Sequence, residues 1–437
     1  MARRKTPKVA RPTGARRLVE LLKDLLIVLL TCSAIFLAWQ TPMATHFRGW
    51  VAPVPPVVQD PTFPHEDALT PYALRVTNSM GSYGVSYDAA ALSRVFQRLS
   101  PFLGEAFSTA EAPAVLPQRN WRTLLESPGI YCAFQGKIPL SVLSAWLGVG
   151  ESLTGQAEAL VLARDGDRFI LAWRDGASCY SAPTQLAYDA AVSQVLEDFS
   201  PNGAAFAYAL AADDDAYSAL DLYVLLPVST PRPQVYSAAS PDLVGDRAAL
   251  ARLLTALDFL SGTDSAYETP GGLTVTENGD RLQVSPSGKL TYRAGEEARY
   301  PISSSSGSPT ASQAAQAAWE LLSQAVEPFE DLPDYVLTGA EETESGWAIT
   351  FEARLNGIPV STGETGWCAR MVTEGNKISE FTLILRTYDP AGSTTLIPSP
   401  RLAAAALRSM TGTDGKLRLS YSDNLSATLT AGWMTGE

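Results

Sequence analysis

Histidine is the usual general base near neutral pH, and this sequence contains only two, His46 and His65. Both lie in a proline-rich stretch, where an extended tether cannot hold an imidazole beside a nucleophile or fix two rings around a metal ion. Ser-His-Asp and Cys-His catalysis both need such a held base. The sequence also lacks the Gly-x-Ser-x-Gly, phosphate-loop, His-Glu-x-x-His and dinucleotide-binding motifs. We therefore predict that the protein is not an enzyme and has no catalytic residues.

The four cysteines are widely spaced along the chain, at Cys32, Cys132, Cys179 and Cys368. They form neither a Cys-x-x-Cys motif nor a Cys/His pair, so we predict no zinc site and, more generally, no metal or cofactor. Two interpretations of the last three stay open. Cys132 and Cys179 form a disulfide in an oxidising compartment, or all three are small buried thiols.

Acidic residues cluster in three places, and we interpret each cluster as a solvated turn. Residues 213–215 lack the alternating ligands and the closing glutamate of a calcium loop. Residues 296–297 and 341–344 carry no other metal-binding pattern. A surface hydrolase with two facing carboxylates stays open as an alternative, because such a pair cannot be recognised from sequence alone.

Charge is distributed unevenly along the chain. Residues 1–24 hold eight Lys/Arg against Glu20 and Asp24, a net charge of +6. Since the whole chain has a net charge of −13, the rest of the chain carries −19. A surface that acidic repels phosphate backbones, so we expect no nucleic-acid partner.

A membrane anchor is predicted at residues 25–44, which hold twenty consecutive uncharged residues, about the length that spans a bilayer. The basic residues on its N-terminal side predict a cytoplasmic tail at 1–24 and an extracellular C-terminus. A cleavable signal peptide is the alternative, but residues 42–44, Pro-Met-Ala, lack the two small residues of a good cleavage site. We therefore expect a single-pass protein of the cell membrane.

Beyond the anchor, proline density predicts an extended extracytoplasmic spacer at 45–71. Apolar periodicity then alternates between helical and strand-like stretches. Helices are predicted at residues 89–103, 139–147, 186–199, 247–260, 311–326 and 401–410. Strands are predicted at 130–134, 159–162, 168–173, 219–227, 273–277, 281–285, 289–293, 335–342, 347–355, 365–374, 378–388, 417–421 and 425–433.

A helix followed by an antiparallel meander occurs twice, which indicates an α+β fold. We divide it into an N-terminal α+β domain at 72–234, a middle helix-plus-meander domain at 235–302, a serine-rich linker at 303–310 and a C-terminal α+β domain at 311–437. Trp347, Trp367 and Trp433 are interpreted as core residues, with a protein interface as the alternative. Ile358-Pro359 is interpreted as a strand end at a hairpin.

Several short phrases, in order and spacing, resemble the YycH family. They are residues 128–131, 137–140 and 143–148 near the start of the folded part, the Gly-x-Leu-x-Tyr phrase at 288–292, and residues 356–360, 417–421 and 432–433 near the end. The last group is similar to the C-terminal domain that YycH shares with its sister protein YycI. The resemblance spans most of residues 15–437 and brings no active-site residues with it.

The resemblance implies a regulatory role. Members of that family act with YycI on the membrane sensor histidine kinase WalK and thereby tune a two-component system that controls cell-wall metabolism. It implies a sensor kinase and a YycI-like protein as partners, reached by protein–protein contact in and outside the membrane. Small side chains at residues 31–34 allow the predicted anchor to pack closely against kinase helices in the membrane. The alternative is that these side chains only face lipid. A module that binds cell-wall glycan or peptide is the alternative function.

Overall fold

The computed structural model describes residues 66–436 except 152, 261–264, 305–306, 364 and 412–414. The predicted tail, the predicted anchor, nearly all of the spacer and both histidines lie outside these residues. Among the described residues, no helix has the length and apolar character needed to span a bilayer. The described residues all belong to one compact unit, Asp60–Glu437.

Four of the described helices begin where a side chain accepts the first free backbone N–H groups. Asp88, Asp189 and Asp246 cap three of them, and Thr310 with Gln313 forms a reciprocal capping box on a fourth. The helices are α1 (Ala89–Ser108), α2 (Gln118–Glu126), α3 (Leu140–Trp146), α4 (Ala190–Glu197), α5 (Ala207–Ala211), α6 (Arg247–Ala256), α7 (Ala311–Val326) and α8 (Pro400–Thr411).

Strands make up most of the remaining described chain, and consecutive strands are joined mainly by tight turns. They are β1 (Ala73–Asn78), β2 (Gly81–Ser86), β3 (Ala114–Val115), β4 (Gly129–Pro139), β5 (Gln156–Asp165), β6 (Arg168–Asp175), β7 (Ser178–Ala187), β8 (Ala205–Phe206), β9 (Leu225–Leu226), β10 (Gln234–Ala239), β11 (Ala266–Thr269), β12 (Gly272–Glu277), β13 (Asp280–Val284), β14 (Lys289–Arg293), β15 (Asp334–Glu342), β16 (Trp347–Leu355), β17 (Ile358–Thr362), β18 (Ala369–Glu374), β19 (Lys377–Ile384), β20 (Thr387–Thr394), β21 (Lys416–Asp423), β22 (Thr428–Leu429) and β23 (Ala431–Gly436).

Two antiparallel arrays form the body. The first has the order β3-β7-β6-β5-β4-β1-β2. The second runs β11-β12-β13-β14-β19-β18-β16-β15, with a branch from the end of β16 through β17 and β21 to β23, in which β17 and β21 pair in parallel. This architecture confirms the predicted mixed α+β class. Because β14 pairs with β19, the middle meander and the C-terminal meander form one sheet. The three-domain division remains a prediction.

The two arrays meet where β4 runs beside β15, at the parallel pairing of Lys137 with Gly339. A glycine permits this approach, since a Cβ on Gly136 would lie 2.0 Å from the carbonyl oxygen of Thr338. A second close approach occurs at the β16–β17 turn. There a Cβ on Gly357, whose φ is +85°, would lie 2.6 Å from the backbone nitrogen of Ala89 at the start of α1.

Some predicted elements differ from the structure. The strand predicted at 219–227 shrinks to β9, because the Asp221 side chain accepts from the backbone N–H of Tyr223 and closes a turn there. The helix predicted from residue 186 begins at Ala190, because Leu186 belongs to β7. Pro359 lies within β17 and does not end a strand, so that interpretation of Ile358-Pro359 is wrong.

The three described cysteines are free and buried, so the structure supports the interpretation as buried thiols over a Cys132–Cys179 disulfide. Burial raises the pKa of all three thiols, including that of Cys368. A thiol with a raised pKa is a poor nucleophile near neutral pH.

Candidate functional site

The candidate site is a cleft of about 280 Å³ between β4, β5, the turn that follows Leu220, and the start of β21. It forms where β4 leaves its neighbour. Ala133 still pairs with Ala159 of β5, but the next pair is Ile138 with Ala157, so that residues 134–137 bulge out opposite Glu158. The bulge opens a gap in the sheet and carries β4 towards β15. We call this gap the charged cleft.

Arg174 of β6 organises one wall of the charged cleft. Its Nη1 and Nη2 donate to the two carboxylate oxygens of Asp221 at 3.1 and 3.0 Å, a two-point fork, and its Nε lies 2.7 Å from Glu158 Oε1. The contact with Glu158 is an ion pair without hydrogen-bond alignment. Both carboxylates that line the cleft are therefore counter-ions of one guanidinium.

The pKa values of this wall follow from that pairing. Burial favours the neutral form of Asp221, but the hydrogen bonds and charge of Arg174 outweigh it and hold the pKa of Asp221 below its ordinary value. For Arg174, burial is likewise outweighed by Asp221, and its pKa is raised. Because Asp221 stays ionised, it is unsuited to act as a general acid.

β21 forms the opposite wall and carries two cations. Lys416 and Arg418 are two positions apart on the strand, which places both on one face, while Leu417 and Leu419 are buried. Lys416 Nζ reaches Glu158 Oε2 at 3.1 Å. Arg418 makes only long contacts among the described residues, at 3.4 Å from Nη1 to the Gln135 carbonyl and 3.9 Å from Nη2 to Glu352 Oε2.

A buried hydrogen-bond network of Gln135, Glu352 and Arg354 lies next to Arg418 and joins the two arrays, and we call this network the relay. Arg354 of β16 donates from Nε to Gln135 Oε1 and from Nη1 to the Thr70 carbonyl, both at 2.7 Å, and the Gln135 amide donates to Glu352. Burial raises the pKa of Glu352 although Arg418, Gln135 and Arg354 oppose the shift. Burial also lowers the pKa of Arg354 to about 10, opposed by Glu352. The relay holds Gln135 and Glu352, the two residues that Arg418 contacts.

The acidic clusters singled out in the sequence lie away from the charged cleft. Asp214 caps a short helical turn and pairs with Arg401 of α8 at 2.5 Å, and Asp215 pairs with Arg408. These contacts agree with the interpretation of residues 213–215 as a turn. The Glu296-Glu297 and Glu341-Glu342 pairs are exposed.

The tryptophans considered as core or interface residues are all half-buried. Trp347 and Trp433 pack against the core, and each indole N–H donates to a backbone carbonyl, of Pro309 at 3.0 Å and of Pro398 at 2.8 Å. Both therefore serve internal packing.

Sequence reasoning missed the charged cleft entirely. Lys416 and Glu158 are 258 positions apart, and Arg354 and Gln135 are 219 apart, so no local spacing indicates that they meet. The only local signal is the polar Gln135-Gly136-Lys137 interruption in an otherwise apolar strand.

Chemically, the charged cleft offers fixed cations with little competition from nearby anions. Lys137, Arg174, Lys416 and Arg418 line it against only Glu158 and Asp221, in a chain whose net charge is −13. In the part of the chain that the structure describes, no group of three or more His, Cys, Asp or Glu side chains is placed to hold a metal ion. The arrangement therefore favours binding an anion.

Comparisons were made with protein-family models, curated proteins and solved structures. None of them matches this chain.

Proposed function

We propose that this chain is a membrane-anchored extracytoplasmic regulator that modulates a sensor histidine kinase by protein–protein contact. The uncharged segment at 25–44 with its basic flank supports single-pass anchoring with the body outside the cell. The resemblance to the YycH family supports a sensor kinase and a YycI-like protein as partners, and cell-wall metabolism as the process controlled.

The observation that carries a contact role is the apolar surface of α8. This helix buries Ala403, Ala404 and Leu407 against the body. Outside that buried face, Leu402 in its first turn is 58% exposed and Met410 in its last turn is 81% exposed. Exposed apolar side chains rimmed by charged residues are typical of protein interaction sites.

The rim of this surface is held in place by ion pairs. Arg401 and Arg408 of α8 bind Asp214 and Asp215 on the neighbouring turn. Exposed ion pairs of this kind add little stability, but they orient the helix against the body. The α8 surface is thus a fixed patch that suits an amphipathic segment of a partner.

The test is co-purification from crosslinked membranes with the full chain. We expect the wild-type chain to recover a sensor kinase and a YycI-like protein, and the Leu402→Lys/Met410→Lys double variant to lose most of that recovery. The Met80→Lys/Val115→Lys double variant is the matched control, because Met80 in the β1–β2 turn and Val115 in β3 are 62% and 77% exposed away from α8.

Recovery of no kinase by the wild-type chain would refute the proposed function. Equal recovery by both double variants would remove α8 as the contact surface. Protease treatment of intact cells checks the topology separately: the body should be digested while the tail at 1–24 is protected.

A further inference from the structure

Arg418 is the least satisfied cation of the charged cleft. A guanidinium has five N–H donors, and the two contacts that Arg418 makes among the described residues are both long, at 3.4 and 3.9 Å. Its side chain is 27% exposed, so it is partly withdrawn from water while still facing the cleft. A half-buried guanidinium without a close acceptor is suited to a planar anion that accepts two parallel hydrogen bonds.

Lys416 supplies a second cation on the same side of β21. Among the residues that the structure describes, its Nζ has one contact, to Glu158 Oε2 at 3.1 Å, which leaves donors free for a ligand. Arg174, in contrast, is held by Asp221 and Glu158. The cleft therefore presents two available cations, while its two carboxylates are already neutralised by neighbouring cations.

The size of the cleft limits the ligand. Its volume of about 280 Å³ is just below the roughly 300–1,000 Å³ typical of small-molecule sites, so the ligand must be small. Arg418 offers a single guanidinium fork, which the two coplanar oxygens of one carboxylate can fill. A single carboxylate meets both limits.

We propose that the charged cleft is a binding site for the carboxylate of a small organic acid or a peptide C-terminus, with Arg418 gripping the carboxylate and Lys416 adding a second contact. The relay through Gln135, Glu352 and Arg354 holds the site rigid, because it ties the floor of the cleft to both arrays. This site is independent of the α8 surface and of the proposed kinase partner.

The test is calorimetric titration of the purified full chain with N-acetylalanine, its neutral amide and inorganic phosphate. We expect saturable binding of N-acetylalanine and none of the amide. Arg418→Gln should weaken the affinity by about ten- to a hundredfold, the usual loss for a charge-assisted fork. Arg293→Gln is the matched control, since it removes the same charge from a side chain on β14 that is 75% exposed.

Lys416→Gln provides a second variant and should weaken binding less than Arg418→Gln does. Thermal melting of each variant establishes that it is folded before titration. Absence of saturable N-acetylalanine binding, or an equal affinity in the Arg418→Gln and Arg293→Gln chains, would overturn the site. Phosphate binding more tightly than N-acetylalanine would overturn the carboxylate assignment.

Discussion

At the scale of single residues, burial decides how the ionisable groups behave. Arg386 and Asp423 are 6% and 0% exposed, and they meet in a two-point fork at 2.8 and 3.0 Å to which the Tyr388 hydroxyl adds a third hydrogen bond at 2.8 Å. Losing either partner of such a buried pair would leave an uncompensated charge. Glu352 differs, because burial raises its pKa and its cationic neighbours Arg418 and Arg354 only partly oppose that rise.

The raised pKa of Glu352 makes a pH prediction. A carboxyl whose folded-state pKa lies above its unfolded value adds stability below the unfolded pKa, here the ordinary 4.5, and this contribution is lost as pH rises through the folded-state value. Glutamine keeps the shape and cannot ionise. We therefore expect the free energy of unfolding of Glu352→Gln, relative to wild type, to increase as pH rises from below 4.5 towards neutrality.

Urea unfolding of both chains at a series of pH values measures this difference. Glu380→Gln is the control, because Glu380 is 48% exposed and, within the described part of the chain, pairs with the exposed Arg293 alone. This variant removes one carboxylate charge from the surface and so measures what charge removal alone does to the stability difference. A Glu352→Gln difference that is flat or falls with pH would contradict the assignment.

At the scale of elements, the fold depends on β4 contacting both arrays. The strand pairs with β5 up to Ala133, bulges at residues 134–137, pairs with β15 at Lys137 and rejoins β5 at Ile138, and the charged cleft is the gap at the bulge. A bulge of this kind re-aims side chains, which is how Gln135 reaches Glu352 and Arg354.

Gly136→Ala should therefore destabilise the protein more than an ordinary glycine substitution. The new Cβ would lie 2.0 Å from the Thr338 carbonyl, so that β4 and β15 must separate. We expect a loss of about 1–3 kcal/mol in the free energy of unfolding, as for other overpacked sites. Urea unfolding provides the measurement.

Gly150→Ala is the control for that experiment. A Cβ on Gly150 would meet no atom within 4 Å, so its effect should stay within about 0.5 kcal/mol. Similar stabilities for the two alanine variants would show that β4 and β15 do not need this close approach.

At the scale of the whole molecule, the middle meander depends on the end of the chain. β14 pairs with β19 from Lys289–Ile384 to Arg293–Glu380, and the Tyr292 ring stacks on Phe381 at 5.0 Å. A chain ending at residue 302 loses this neighbour and exposes β14 as an unpaired edge, which favours aggregation.

We expect the chain that ends at residue 302 to aggregate on size-exclusion chromatography and to lose hydrogen-exchange protection in β12–β14. The control is the full chain cut at a protease site inserted at residues 303–310, which keeps both parts and should stay associated. A monodisperse 1–302 chain with unchanged protection would instead support the predicted boundary at the linker.

Local features of the fold were readable from the sequence. α7 occupies the predicted residues 311–326, because an apolar stripe and a capping box mark it. The Asn278-Gly279 and Asn356-Gly357 turns are also local features, since both residues of each pair adopt positive φ and Asn-Gly tolerates that conformation. The Asp165-Gly166-Asp167 turn joins β5 and β6, between the strands predicted at 159–162 and 168–173.

Features that depend on distant contacts were not readable. The segment at 219–227 is apolar enough for a strand, yet Asp221 turns it towards Arg174, 47 positions earlier. The predicted strand at 378–388 breaks into β19 and β20 where Arg386 turns inward to Asp423. Side-chain charge pairing across the fold overrides local strand preference in both places.

By itself the sequence determined the α+β class, the positions of most helices and hairpins, and the uneven charge of the chain, because periodicity, capping and turn chemistry act over a few residues. Only the tertiary structure decided that β4 contacts both arrays and that Gln135, Glu158, Arg174 and Arg418 meet around one cleft. The physical reason is that these groups come from strands far apart in sequence, and their attraction operates only after the two arrays have packed together.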